Sequence, residues 1–369
     1  MSPQLEIVLL AVVVAAACAL PGCLLVLRRM ALMSDAISHS ILLGIVLGFA
    51  IAGNLHSPLL ILGAAVVGLL TVVLTETLVR TNQVKEDAAI GLVFPILFSL
   101  GVILITKYFS GIHLDIDAVL VGEIAYAPLD RLHVNGTDLG PRAMWDVCAV
   151  GLINLAFVWI FYKELKLTTF DPGLAKALGF MPGLLGYALM ALVSLTTVVS
   201  FDAVGSILVV ALMIAPPATA YLLCDRMSQM LVVSVCFGAL AAISGYMLAH
   251  ALDASIAGAM AVMCGVWFGL VLLLAPERGL ISLWLLRRRQ RWIFATHMLA
   301  IHLLQHEGTP VESTESAVRH MGEGLRWSDG FAQGVISHSL DSGLIQRVGE
   351  QLSLTGLGRE TAREVLTRT

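Results

Sequence analysis

The sequence predicts an all-α polytopic membrane protein of about nine transmembrane helices, followed by a small domain of helices and one two-stranded hairpin. Three observations predict it. Hydrophobic residues make up 58% of the 369 and charged residues 13%, against roughly 25% charged in ordinary soluble domains. Apolar stretches recur at 7–27, 31–51, 58–79, 88–107, 144–162, 184–201, 203–223, 230–252 and 255–275, each near the roughly 20 residues that cross a bilayer as a helix. Near Leu286 the composition turns polar, dividing the chain into a membrane domain at 1–286 and a second domain at 287–369.

The first span reads as uncleaved. Leu20-Pro21-Gly22-Cys23 loosely resembles a lipoprotein cleavage site, but a signal peptide opens on a basic segment, and Met1-Ser2-Pro3-Gln4-Leu5-Glu6 does not. The sixth and seventh spans are separated only around 200–202, so a re-entrant pair is the alternative to two full crossings. Orientation follows from Lys and Arg. With the N-terminus outside, the inner side through Arg291 holds thirteen of them, and the outer side only Lys107, Arg131 and Arg142. The C-terminus is then cytoplasmic. Acids such as Glu6, Asp130, Asp138, Asp202 and Asp253 collect outside, a field that attracts cations, although loop acids are also ordinary solvated residues. The six cysteines lie in or beside apolar spans without close pairing, and read as packing residues rather than a zinc site.

In the second domain Leu299, Leu303 and Leu304 fit one helical face and Val335, Ile336 and Leu340 another. Gly343 sits where a helix would stop. Leu344–Val348 and Gln351–Leu354, broken at Gly349-Glu350, read as a hairpin before a last helix. His297, His302, His306, His320 and His338 read as scattered surface or core histidines, with metal sensing as the alternative.

Two patterns carry chemistry. The run Arg28-Arg29-Met30-Ala31-Leu32-Met33-Ser34-Asp35-Ala36-Ile37-Ser38-His39 sets a carboxylate and an imidazole four residues apart inside an apolar span. On a helix these positions share a face, and ionisable groups at that depth normally face a cavity, a partner or a substrate path. One oxygen and one nitrogen ligand suit a first-row divalent cation such as manganese, zinc or iron. A plain hydrogen bond between the two, or to a neighbouring helix, is the other reading. The second pattern is Phe170-Asp171-Pro172-Gly173-Leu174-Ala175-Lys176-Ala177-Leu178-Gly179, on the inner side. Asp171 can cap a short helix begun by Pro172, and Gly179 can end it; such a helix is either a docking knob or a connecting turn. The longest polar connection, 109–143, lies outside and contains HLDIDAVLVGEI, suited to a short helix at the membrane surface. Within it His113, Asp115, Asp117 and Glu123 are candidates for an ion entrance, with solvated loop surface as the alternative; Asp202, between the sixth and seventh spans, is a candidate for a gate.

Taken in order, RRMALMSDAISHSILLGIVLGF, KEDAAIGLVFPILFSLGVILI, HLDIDAVLVGEI, FDPGLAKALGF and VGSILVVALMIAPPATA resemble the membrane permeases of ATP-binding-cassette importers for manganese, zinc and iron, over roughly residues 5–275. The resemblance implies a bacterial cytoplasmic (inner) membrane location, a second permease subunit as homodimer or paralogue heterodimer, a cytoplasmic ATPase and an extracytoplasmic metal-binding protein. It also implies that Asp35 and His39 coordinate the ion in transit and that 170–179 is the coupling helix seated on the ATPase. The metal is cargo, no cofactor is bound permanently, and ATP binds the partner subunit; no Gly-x-x-x-x-Gly-Lys-Ser/Thr loop occurs here. The protein is then a permease and not itself an enzyme.

The chain departs from that pattern in two places. The external insertion APLDRLHVNGTDLGPRAM is long for the family. The C-terminal domain is additional, and SLDSGLIQRVGEQLSLTGLGRETA resembles the winged helix-turn-helix of metal-responsive repressors. Nine acids from Glu307 to Glu364 outnumber six arginines from Arg319 to Arg368, which counts against nucleic acid as a partner because DNA binding wants net positive charge. Two other function classes fit parts of the sequence. A self-sufficient cation channel or secondary transporter needs the Asp35 and His39 pair but no coupling helix, and a membrane-anchored metal-responsive transcription regulator needs the second domain to bind DNA.

Overall fold

The computed structural model describes residues 2–54, 57–108, 124–134 and 137–368. The expected surface helix at HLDIDAVLVGEI, and with it His113, Asp115, Asp117 and Glu123, lies outside the described residues. The chain forms two compact units, Met1–Gly279 and Leu280–Thr369.

The first unit begins with four long helices, α1 (Pro3–Leu27), α2 (Leu32–Ala52), α3 (Pro58–Arg80) and α4 (Glu86–Tyr108). A short 3-10 turn (Ile124–Leu129) and an antiparallel hairpin, β1 (Arg131–Val134) with β2 (Thr137–Pro141), follow. Then come α5 (Arg142–Ile160), α6 (Tyr162–Phe170), α7 (Pro172–Ala177), α8 (Pro182–Val204), α9 (Ser206–Leu223), α10 (Met227–Leu252) and α11 (Ile256–Leu274). Among the described residues nine of these helices, α1 to α5 and α8 to α11, are long and apolar enough to cross a bilayer. The reading of nine spans holds. Where a polar side chain is buried between spans it can satisfy itself across the helix contact, as a bilayer favours: Asn154 on α5 donates to Thr196 on α8 at 2.7 Å and to the Ala17 carbonyl of α1 at 3.1 Å.

Helix α1 is the axis of this unit. Leu10, Ala11, Val14, Ala15, Cys18 and Leu24 are fully buried, and α1 packs on α5, α8, α9 and α10. Its alanines let neighbouring backbones approach closely, which substitutes in a membrane for a hydrophobic driving force. The contact of α2 with α3 is closer still. A Cβ at Gly44 would lie 2.3 Å from the Gly63 carbonyl oxygen, and one at Gly63 would lie 2.5 Å from that of Gly44. Thr71 donates to Ser40 across the same interface at 2.6 Å.

The break between α8 and α9 falls at Gly205, not at 200–202 as the composition suggested: Ser200 and Asp202 belong to the end of α8. Hydropathy dips at the polar residues, but the chain turns where the backbone can. Gly205 has φ 80° and ψ 163°, a region essentially restricted to glycine. Gly205→Ala is expected to destabilise the subunit by about 1–3 kcal/mol, read as a lowered unfolding temperature of the purified protein.

The second unit begins with α12 (Leu280–His306), then α13 (Glu312–Glu315), α14 (His320–Gly324) and α15 (Asp329–Asp341). Strands β3 (Ile345–Val348) and β4 (Gln351–Leu354) pair antiparallel, and α16 (Gly356–Arg368) closes the chain. Leu299, Leu303, Met321, Val335, Ile336, Ile345, Leu352 and Leu354 form a core of their own. Arg359 holds Glu307 with three hydrogen bonds, at 2.6, 2.9 and 3.1 Å, and keeps that carboxyl below its ordinary value. The division expected at 286/287 falls inside α12, so the structural boundary is 279/280. The composition changes there without ending the helix, because Leu, Arg and Gln are all good helix formers.

Candidate functional site

Asp35 stands in the first turn of α2 and His39 one turn later. Their side chains are 42% and 33% exposed, and His39 Nε2 lies 3.5 Å from Asp35 Oδ1. Their neighbours Ser34, Ala36, Ile37, Ser38 and Ser40 are buried, so the pair occupies the open stripe of an otherwise packed helix. A separation of 3.5 Å exceeds the usual 2.7–3.2 Å of an N–H···O hydrogen bond. It is close to the roughly 3–3.5 Å between donors that share one ion at 2.0–2.2 Å. Helix α4 supplies a wall behind the imidazole: the His39 ring stacks on Phe94 (centroids 5.7 Å apart, 29°) and meets Phe98 edge-on at 6.1 Å. The imidazole is backed by this wall, and both side chains remain partly open on the other side. Asp202, the candidate gate residue, is exposed in the last turn of α8.

The 170–179 segment is the short capped helix α7. Asp171 Oδ1 accepts from the Leu174 N–H at 2.8 Å, Pro172 occupies the first helical position, and Gly179, at φ +86°, ends the turn as Phe180 N–H closes on the Ala175 carbonyl. Ala175 is buried while Phe170, Leu174 and Leu178 are exposed, as are Gly173 and Gly179. The helix therefore presents an apolar knob.

Arg28 joins these two features, and sequence reasoning missed it by counting it only toward orientation. It caps α1 immediately before the turn into α2, and donates to Thr169 at 3.1 Å and to Thr168 at 3.1 Å at the end of α6. The next residue, Arg29, adopts φ 63°. One guanidinium thus ties the α1–α2 turn, just ahead of Asp35, to the base of the knob. The signal available in the sequence was a charged residue directly after an apolar span, beside a tight turn.

A second missed cluster lies at the N-terminal end of α1. Glu6, 3% exposed, accepts from Arg131 of the hairpin at 2.8 Å, and Arg131 also meets Asp138 at 2.9 Å. The Gly140 N–H, helped by Arg131, holds the Asp138 carboxyl below its ordinary value. The hairpin itself was signalled by Asn135-Gly136, a dipeptide favoured in two-residue turns.

A sequence model described as the ABC 3 transport family matches residues 4–275. The chain is 47% identical over 359 residues to the zinc transport system membrane protein TroD of Treponema pallidum, a match covering 97% of this chain and 98% of that protein. It is 46% identical over 282 residues to the manganese transport system membrane protein MntD of Bacillus subtilis, covering 76% of this chain and 95% of that one. Among solved structures, PsaBC from Streptococcus pneumoniae in complex with Fab aligns with a TM-score of 0.63 at 31% identity, over 77% of this chain and 95% of that chain. The TroD match takes in both units, whereas about a quarter of this chain has no counterpart in MntD.

Proposed function

This chain belongs to the ABC 3 transport family, and from that premise we propose that it is the membrane-spanning permease of an ATP-driven importer of divalent transition-metal ions. Relatives are named for zinc, manganese and chelated iron, and one oxygen with one nitrogen donor suits each of these ions. The observation that carries the reading is the Asp35 and His39 pair, set at the spacing of two ligands of one ion on an open stripe of α2.

By the charge rule the N-terminus faces outward and α7 faces the cytoplasm, in a bacterial inner membrane. An extracytoplasmic protein delivers the ion. Asp35 and His39 take it, with further ligands from a second permease subunit or from water. Two protein ligands per subunit hold an ion weakly enough to release it, unlike a closed four-ligand cage. Cytoplasmic ATPases bind the knob at α7. Their closure moves it, and Arg28 transmits the movement to the turn that carries α2, so the path opens alternately to the two sides. Asp202 serves the gate, and His113, Asp115, Asp117 and Glu123 the entrance. The order of helices, hairpin and helix in Leu280–Thr369 supports a winged-helix-like unit, and its excess of acids supports a protein-contact or regulatory role over DNA binding. The two other classes are less well supported: a channel leaves α7 and Arg28 without a purpose, and the regulator reading finds no support among the relatives.

Metal uptake by the subunit reconstituted with its ATPase, run against a panel of divalent cations, tests this function. ATP-independent uptake at the same rate would overturn it. A sharper prediction concerns coupling. Asp171→Arg removes the α7 cap, worth about 1 kcal/mol, and sets a charge at the edge of the apolar knob. ATPase association is expected to weaken at least tenfold in co-purification, or hydrolysis to run without uptake. Unchanged association and uptake would make α7 a mere connector.

A further inference from the structure

The second unit gathers four side chains that the transport path does not use. His302 and His306 lie one turn apart on α12, Glu315 ends α13, and His320 opens α14. The donor atoms of His302, His306 and Glu315 all fall within 4.8 Å of one another. Glu315 Oε2 is 3.4 Å from His302 Nε2 and 3.1 Å from His320 Nε2. The His302 and His306 rings lie 4.8 Å apart at 64°. His302, Glu315 and His320 are sheltered, at 13%, 25% and 29% exposure. Beside them Gly324 leaves room, since a Cβ there would lie 3.2 Å from His320 Nε2 and 3.8 Å from Glu315 Oε2.

We propose that His302, His306, Glu315 and His320 form a second metal site, selective for zinc or a cation of similar softness, separate from the transport pair. Donors on a tetrahedral zinc ion lie roughly 3.4 Å apart; of the two imidazole-to-carboxylate spacings, that of His302 matches this value at 3.4 Å and that of His320 is slightly shorter at 3.1 Å. A donor set of three imidazoles and one carboxylate favours zinc over the harder manganese ion, which prefers oxygen. Simple ion pairing between histidine and glutamate explains one imidazole on Glu315. It does not explain two converging on the same carboxylate oxygen with a third at hand. His302 Nε2 also lies 3.3 Å from the Glu315 backbone carbonyl; when the ion takes this nitrogen, the ring proton resides on Nδ1. The site fastens α12 to the 312–324 segment, which is itself tied to β4 by Leu352 N–H on the Ser316 carbonyl at 2.9 Å, and to Glu350 by Val318 N–H at 3.0 Å. Metal occupancy therefore locks the hairpin against α12.

The test uses the full chain carrying Asp35→Ala and His39→Ala, so that the transport pair contributes nothing and the outcome does not depend on the transport reading. Zinc titrated against a chromophoric chelator is expected to fill about one site per chain. Adding His302→Ala or Glu315→Ala should weaken it on the order of 100-fold or more, whereas His338→Ala, outside the cluster, should leave it unchanged. Gly324→Val, which keeps every donor and fills the adjoining space, should weaken it too. Because an alanine variant can lose its fold along with a ligand, cobalt bound to the intact cluster supplies an independent readout, the strong visible absorption of a tetrahedral ion. Absence of a zinc site in the Asp35→Ala, His39→Ala chain, zinc retained at full affinity after His302→Ala with Glu315→Ala, or a weak octahedral cobalt spectrum would each overturn the proposal.

Discussion

Asp35→Ala and His39→Ala are each expected to reduce ATP-driven metal uptake to background while leaving the subunit folded. Each side chain is more than half covered yet faces the open stripe of α2, so truncation removes a ligand without emptying the packed core. Losing one of two donors from a half-site leaves the ion to water and to the opposing subunit, a loss on the order of 100-fold in affinity. The two variants differ in their side effects. His39→Ala also removes a ring stacked against Phe94 and edge-on to Phe98, which costs about 1 kcal/mol of stability; Asp35→Ala loses no such contact. Uptake into proteoliposomes, normalised to folded subunit from a thermal unfolding curve, separates the two effects. Uptake at the unmodified rate by both variants would remove these residues from the path.

Arg131→Ala is expected to be the most damaging single change in the loop regions. Glu6 is buried at the end of α1, and its Oε2 finds no hydrogen-bond partner among the described residues. Arg131 is therefore its sole salt-bridge partner among those residues. Breaking a buried pair from one side leaves an uncompensated charge, at about 3–5 kcal/mol; with Arg131 itself about one-third exposed, we place the effect near the lower bound, about 3 kcal/mol. Adding Glu6→Gln in the same chain should recover most of the loss, because the charge disappears with its partner. A double-mutant cycle on unfolding temperature measures this directly. Equal and additive losses would mean that the pair contributes no coupling.

The residues differ in how openly the sequence displayed them. The nine spans were legible because bilayer thickness sets a length that composition reveals without any tertiary information. Asp35 and His39, and the Asp171 cap, were legible because each acts over three or four residues of one helix. Arg28 with Thr168 and Thr169, and Glu6 with Arg131, were not, since they join residues more than a hundred positions apart. Polar composition misplaced two boundaries, at 200–202 and 286/287, because helices end where backbone geometry changes and not where hydropathy does. The histidines of the second unit fall between these cases. His302 and His306 carry a readable one-turn spacing, but Glu315 and His320 reach them only through the fold of the 307–324 segment, so a scattered distribution was the natural expectation. His297 and His338 fit it still.

The glycine contact between α2 and α3 has a mechanical consequence. With backbones so close at Gly44 and Gly63 that neither position has room for a methyl group, the two helices cannot slide or rotate past one another without separating. Gly101 of α4 approaches the same region, where a Cβ would lie 3.0 Å from the Leu43 nitrogen, so the Phe94 and Phe98 wall is carried with them. On the proposed mechanism the three helices behave as one rigid jaw. Asp35 and His39 then keep their spacing through the whole transport cycle, and affinity changes only as the opposing jaw brings its ligands up or withdraws them. Release of the ion is a parting of two halves of a coordination shell, each of which stays intact.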